Sequence, residues 1–105
     1  MKLTENLYSV TKIEDDRWSV VLADKNHPVF KAHFELNPIL PAFLQIDIIA
    51  EILSKKVIEI KKAKFALPIK PNDNIVYCVV EKNSSARVKI FNQDNLVSSF
   101  SIIYE

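Results

Sequence analysis

Residues 41–56 limit what this chain can become more than any other stretch. Pro41 suits the first position of a helix, where its missing N–H costs nothing, and good helix formers follow it. The helix predicted there is apolar nearly all round, with Phe43, Leu44, Ile46, Ile48, Ile49, Ile52 and Leu53 on successive faces. A helix without a broad polar face is buried on most of its sides. A chain of 105 residues has room for one core and little else, so the remaining segments must wrap this helix. A long curved sheet is the natural wrapper.

The flanking sequence supplies that sheet. Residues 7–13 and 17–23 alternate as strands, with Asp15 and Asp16 between them as a tight turn. Residues 24–41 lose periodicity and read as a loop, punctuated by Pro28, Pro38 and Pro41. Four further strands are predicted over 57–66, 74–82, 85–92 and 95–104, the last three linked at hairpin length. The architecture expected is therefore α+β: a long central helix wrapped by a curved antiparallel sheet of five to six strands, in one domain over 1–105. The chain has no glycine, so turns needing positive φ must use other residues, and Asn83, Asn92, Asp94 and Asn95 sit where such turns are wanted.

Composition removes several classes of function. A net charge of +1 makes no general case for a nucleic-acid partner, and no apolar run reaches the ~20 residues of a membrane span. The polar N-terminus does not read as a signal peptide, so a cytoplasmic setting is expected. Cys78 is the single cysteine and reads as a packing residue; with two histidines in the chain, no metal site or cofactor is expected. Trp18 reads as a core or dimer-contact residue.

The chemistry concentrates just before and within the helix. Asp47 stands between Ile46 and Ile48, where an ionised carboxylate is costly without a purpose. His33 lies fourteen positions earlier in the loop, and its reference pKa of about 6.5 suits a general base. His27 reads as a loop or turn residue. The run His33-Phe34, Pro38, Pro41-Ala42 and Asp47 resembles the β-hydroxyacyl-acyl-carrier-protein dehydratases, which share His-Phe, Pro-x-x-Pro-Gly and an acid at that spacing. A second stretch, Ala63-Lys-Phe65-Ala-Leu-Pro68-Ile-Lys-Pro71-Asn-Asp73, resembles the same family's turn between two strands. Leu36, Ala42 and Asn72 stand where the family has glycine, and Glu51 where it usually has Gln.

The resemblance implies the hotdog fold and dehydration of 3-hydroxyacyl thioesters to trans-2-enoyl thioesters, with no cofactor. By the same resemblance His33 is the base, Asp47 the acid, and the Ala42 backbone N–H polarises the thioester carbonyl. Phe34, Leu36, Pro41, Phe43, Leu44, Glu51 and Phe65 are the candidate tunnel residues, with Leu36 narrowing the mouth. Asp47 has to be protonated to act as an acid, and both its apolar neighbours and the like charge of Glu51 one turn away would raise its pKa. The substrate implied is an acyl carrier protein or coenzyme A thioester. The assembly implied is a homodimer, or a higher homo-oligomer, with His33 and Asp47 facing each other across subunits.

Lys55, Lys56, Lys61, Lys62 and Lys64 crowd into ten positions, as a solvated face or as a docking patch for an acidic carrier. Two other readings of the chain remain: a hotdog thioesterase, or a non-catalytic hotdog module that binds acyl chains or a carrier, or pairs with a catalytic subunit.

Overall fold

The computed structural model describes residues 2–32 and 37–105. The elements are β1 (Tyr8–Glu14), β2 (Arg17–Leu22), α1 (Pro28–Ala32), α2 (Ala42–Leu53), β3 (Val57–Phe65), β4 (Asn74–Lys82), β5 (Ser85–Asn92) and β6 (Asn95–Tyr104). The strands form one antiparallel sheet in the order β1-β2-β4-β5-β6-β3. The connection from β2 through α2 to β3 therefore carries the chain from one side of the sheet to its far edge.

Alternation sets the two faces of the sheet. Ile75, Tyr77 and Val79 of β4, Ala86, Val88 and Ile90 of β5, and Phe100, Ile102 and Tyr104 of β6 all point inward. They meet Leu44, Ile46, Ile48 and Ile49 of α2, and together these residues form the core. Removing such side chains from water is the main stabilising term for so small a domain.

The segment expected to be a featureless loop contains a short helix. Pro28 opens α1, and the N–H groups of Phe30 and Lys31 reach the carbonyl of His27 at 3.0 Å. The His27 ring caps this end: its Nδ1 accepts from the Val29 N–H at 3.1 Å, so Nε2 carries the proton and donates to the Glu5 carbonyl at 2.7 Å. Val29 and Phe30 are buried, which is the tertiary gain that a five-residue helix cannot find in propensity alone.

α2 also ends earlier than expected, at Leu53, because Ser54 takes the left-handed conformation and closes the C-terminus. Asn83 and Asn72 adopt positive φ as their turns require, whereas the β5–β6 turn places it on Gln93. Lys62 does so too, at an irregularity between Lys61 and Lys64 in the pairing of β3 with β6.

Because Ile48 is fully buried at the centre of this contact, Ile48→Ala should destabilise the fold by about 2–5 kcal/mol in urea titration. A loss well under 1 kcal/mol would mean that α2 is not packed on the sheet as described.

Candidate active site on the open face of α2

The N-terminal end of α2 has no side-chain cap. Pro41 occupies the N-cap position in extended conformation and its carbonyl accepts from Leu44 and Gln45 at 3.1 and 3.2 Å. The first-turn amides, Ala42 and Phe43, have no intrahelical acceptor, and together with the helix dipole they favour negative charge on an incoming oxygen.

A buried polar network holds this end in place. Gln45 is buried; its Nε2 donates to the Leu40 carbonyl at 3.3 Å and its Oε1 accepts from the Ser98 hydroxyl at 2.6 Å. The buried Tyr77 hydroxyl donates to the Gln45 carbonyl at 2.7 Å. Leu40 in turn donates its N–H to the Ile69 carbonyl at 2.7 Å, which joins the two motif segments to each other. Hydrophobic periodicity does not single out Gln45. The signal for it was a neutral polar residue inside an otherwise apolar run, a position that needs internal partners.

α2 is not enclosed on every side. Phe43, Asp47 and Glu51, spaced by four residues, form one exposed stripe along it. Asp47 therefore faces a cleft of about 600 Å³, lined also by Lys2, Glu51, Lys55 and Lys56, instead of lying in the core. By the helical rise, it stands about 7.5 Å along the axis from Ala42. The Asp47 carboxyl is pushed up from the usual carboxylate range, first by partial desolvation against the helix and then by the charge of Glu51.

Glu51 is itself held. Thr4 Oγ1 donates to its Oε2, and Tyr8 Oη donates to its Oε1 at 2.8 Å. Burial and this contact with Glu51 push the Tyr8 phenol above its usual range. The N-terminal segment thus packs beside the cleft through two hydroxyls that no sequence pattern had singled out.

The other candidate residues scatter. Pro41 and Ala42 are half-buried at the start of α2, and Leu44 is completely buried in the core. Phe65 is partly exposed on β3, 6.1 Å from the ring of Phe100. His33, Phe34 and Leu36 lie outside the described residues, so the distance from His33 to Asp47 is not part of this geometry. Among the described residues no cluster of His, Cys, Asp or Glu is arranged to hold a metal ion, and no helix is long and apolar enough to cross a membrane.

The lysine cluster divides in two. Lys55 and Lys56 border the Asp47 cleft, with Lys55 Nζ 5.1 Å from the Tyr104 ring and Lys56 3.7 Å from Glu105. Lys61 and Lys62 instead border a groove of about 410 Å³ with Lys82 and Arg87, where the register aligns Lys61, Ser101, Arg87 and Val80 across four strands.

A raised carboxyl pKa means that the folded chain holds the Asp47 proton more tightly than the unfolded chain does. Stability from this group is present at low pH and is lost as pH rises through the folded-state value. Asp47→Asn should therefore raise the melting temperature relative to the parent at neutral pH, with the advantage vanishing below about pH 4. An unchanged difference between the two proteins across that range would contradict the shift.

Comparison with known proteins extends these observations. Residues 10–101 match the model of a family described as ApeI-like, the ApeI dehydratases. A curated relative, the 3-hydroxyacyl-[acyl-carrier-protein] dehydratase FabZ of Fusobacterium nucleatum, is 32% identical over 75% of this chain and 67% of its own. Among solved structures, the dehydratase heterocomplex ApeI:P from Xenorhabdus doucetiae superposes with a TM-score of 0.73 at 20% identity, covering 99% of this chain and 98% of that one. Thioesterase superfamily member 2 from Mus musculus gives 0.64 at 12% identity, over 97% and 84%, which is a likeness of fold alone. The sheet wrapped on one helix is the hotdog fold, and the chain belongs to the ApeI-like dehydratase family.

Proposed function

We propose that this chain dehydrates 3-hydroxyacyl thioesters, carried on acyl carrier protein, to trans-2-enoyl thioesters in the cytoplasm. The observation that carries the proposal is Asp47, an acid with a raised pKa on the open side of α2, a short way along the same helix from uncapped amides. Elimination needs a proton removed from C2, a proton delivered to the departing hydroxyl at C3, and stabilisation of the enolate oxygen between those events. His33 takes the C2 proton. Asp47 gives its proton to the hydroxyl, which leaves as water, and the Ala42 N–H donates a hydrogen bond to the thioester oxygen as charge develops on it. His33 then returns the C2 proton to Asp47 through solvent, which restores both groups without a cofactor. Phe43, Pro41 and Phe65 are candidates to line the acyl chain, as are Phe34 and Leu36 by the family resemblance.

The site is shared between two chains in this proposal. Two features support a homodimer. β3 ends the sheet with an unpaired edge that carries exposed Ile58 and Ile60, and such an edge favours pairing with another strand. The stripe of Phe43, Asp47 and Glu51 leaves apolar and acidic groups together in solvent. A second chain pairing at β3 would bring its own residues toward that stripe. The solved ApeI:P relative is a heterocomplex, which supports a second reading: this chain works beside a different hotdog subunit that supplies part of the site.

Hydration of a short trans-2-enoyl thioester, the reverse reaction, tests both points. His33→Ala and Asp47→Asn should each slow it by about 100-fold or more, as loss of a general acid or base does. Thiol release without hydration would instead indicate a thioesterase. Mixing the two variants should make half of the dimers mixed, each with one intact site, and restore activity to about one quarter. If proven mixed dimers stay inactive, the shared site is wrong. Activity that appears only on adding a second hotdog chain favours the heteromeric reading.

A further inference from the structure

Glu51 is one of the residues at which this chain leaves the pattern of the dehydratases it resembles, and it is anchored on the open face of α2 through both carboxylate oxygens. Its two oxygens are both acceptors, one from Thr4 and the other from Tyr8. Acceptance at both oxygens is the role of an ionised carboxylate, since a carboxylic acid would present a donor at one of them. The two donors are not loose. Leu7, between them in sequence, is fully buried, its carbonyl accepts from the Ala23 N–H at 2.7 Å, and its own N–H donates to the Thr4 carbonyl at 3.0 Å. Tyr8 then enters β1, paired with Leu22 of β2. The N-terminal turn is thus fastened to the core and presents two hydroxyls to one carboxylate.

We infer that Thr4, Tyr8 and Glu51 form a fixed-charge clamp: Glu51 is a positioning residue whose held negative charge, one helical turn from Asp47, keeps on Asp47 the proton that dehydration requires. This rests on the proposed dehydratase reading and adds to it a device that the glutamine of related enzymes does not supply. A neutral amide at position 51 accepts a hydroxyl at one end only, and carries no charge to act on Asp47.

The neighbouring cations do not cancel the effect. Of the three lysines along the Asp47 cleft, Lys56 is engaged with Glu105 at 3.7 Å and Lys55 lies over the Tyr104 ring at 5.1 Å. Lys2 belongs to the N-terminal segment and borders both the Asp47 cleft and the adjoining one that Thr4, Glu5 and Tyr8 line. Glu5 adds a further negative charge to that second cleft. Desolvation and the Glu51 charge both act to raise the pKa of Asp47.

Carboxyl-carbon NMR titration of Asp47, assigned with Asp47→Asn, reads the clamp without any assay of activity. In Glu51→Gln the Asp47 midpoint should fall by roughly 0.2–0.4 of a pH unit, the size expected for a like-charge pair one turn apart on an open helix face. In Tyr8→Phe the charge at position 51 remains while one donor is lost, so the midpoint should move less than in Glu51→Gln. If Glu51 merely tethers the N-terminal turn, neither variant will move the midpoint, or both will move it equally, and the inference fails. In hydration Asp47 has to be ionised to take a proton from the attacking water, so the low-pH limb of the hydration rate should shift down with the NMR midpoint in Glu51→Gln, leaving about twofold more activity below it. An NMR shift in a chain with no turnover would uphold the clamp and overturn the dehydratase reading; turnover with an unmoved midpoint would do the reverse.

Discussion

The seating of α2 depends on one buried amide. Gln45 lies inside the core, where an unpaired polar side chain would cost about 1–3 kcal/mol, and it is satisfied from three directions. Ser98 fixes it to β6, Tyr77 fixes its backbone to β4, and its own amide group fixes the Leu40 carbonyl in the entering loop. Apolar packing alone would let the helix slide or rotate at little cost, because its methyl groups are nearly interchangeable. Directional hydrogen bonds remove that freedom and set which residues of α2 face outward. The uncapped amides at Ala42 and Phe43 and the stripe of Phe43, Asp47 and Glu51 inherit their placement from this constraint.

The open stripe has an electrostatic character of its own. Asp47 and Glu51 are adjacent carboxylates on a helix face, an arrangement that repels unless one of them holds a proton. Thr4 and Tyr8 donate to Glu51 and not to Asp47, which breaks the symmetry between the two. A protonated Asp47 is what an acid for a leaving hydroxyl has to be. Its raised pKa comes from partial desolvation, with the negative charge of Glu51 adding to it.

The sheet ends on an exposed edge at β3. β3 is exposed along nearly its whole length and kinks at Lys62, so it contributes little to this chain's own core. Its backbone edge and the apolar Ile58 and Ile60 form a surface that a second sheet could extend. The basic cluster divides between two clefts, Lys55 and Lys56 beside Asp47 and Lys61 and Lys62 on the groove shared with β4, β5 and β6.

Much of the fold was legible in the residues. Apolar and β-prone runs bounded by turn residues, alternating in four of the six, located every strand to within about two residues, and an apolar run after Pro41 located α2, because these patterns express preferences that local chemistry already dictates. The two proline-containing motifs carried the family, and the fourteen-residue spacing from His33 to Asp47 named the candidate pair. Tertiary structure decided what periodicity is blind to. Burial of Val29 and Phe30 made a helix of a segment whose own propensity is too weak for one. The direction in which α2 faces the sheet put Asp47 in solvent, whereas its isoleucine neighbours had suggested the core. The partners of Glu51 and Gln45 come from residues 43 to 53 positions away in sequence, at Thr4, Tyr8 and Ser98. Hydrogen bonds across such separations leave no period in a sequence, since only the closed fold brings their two ends together.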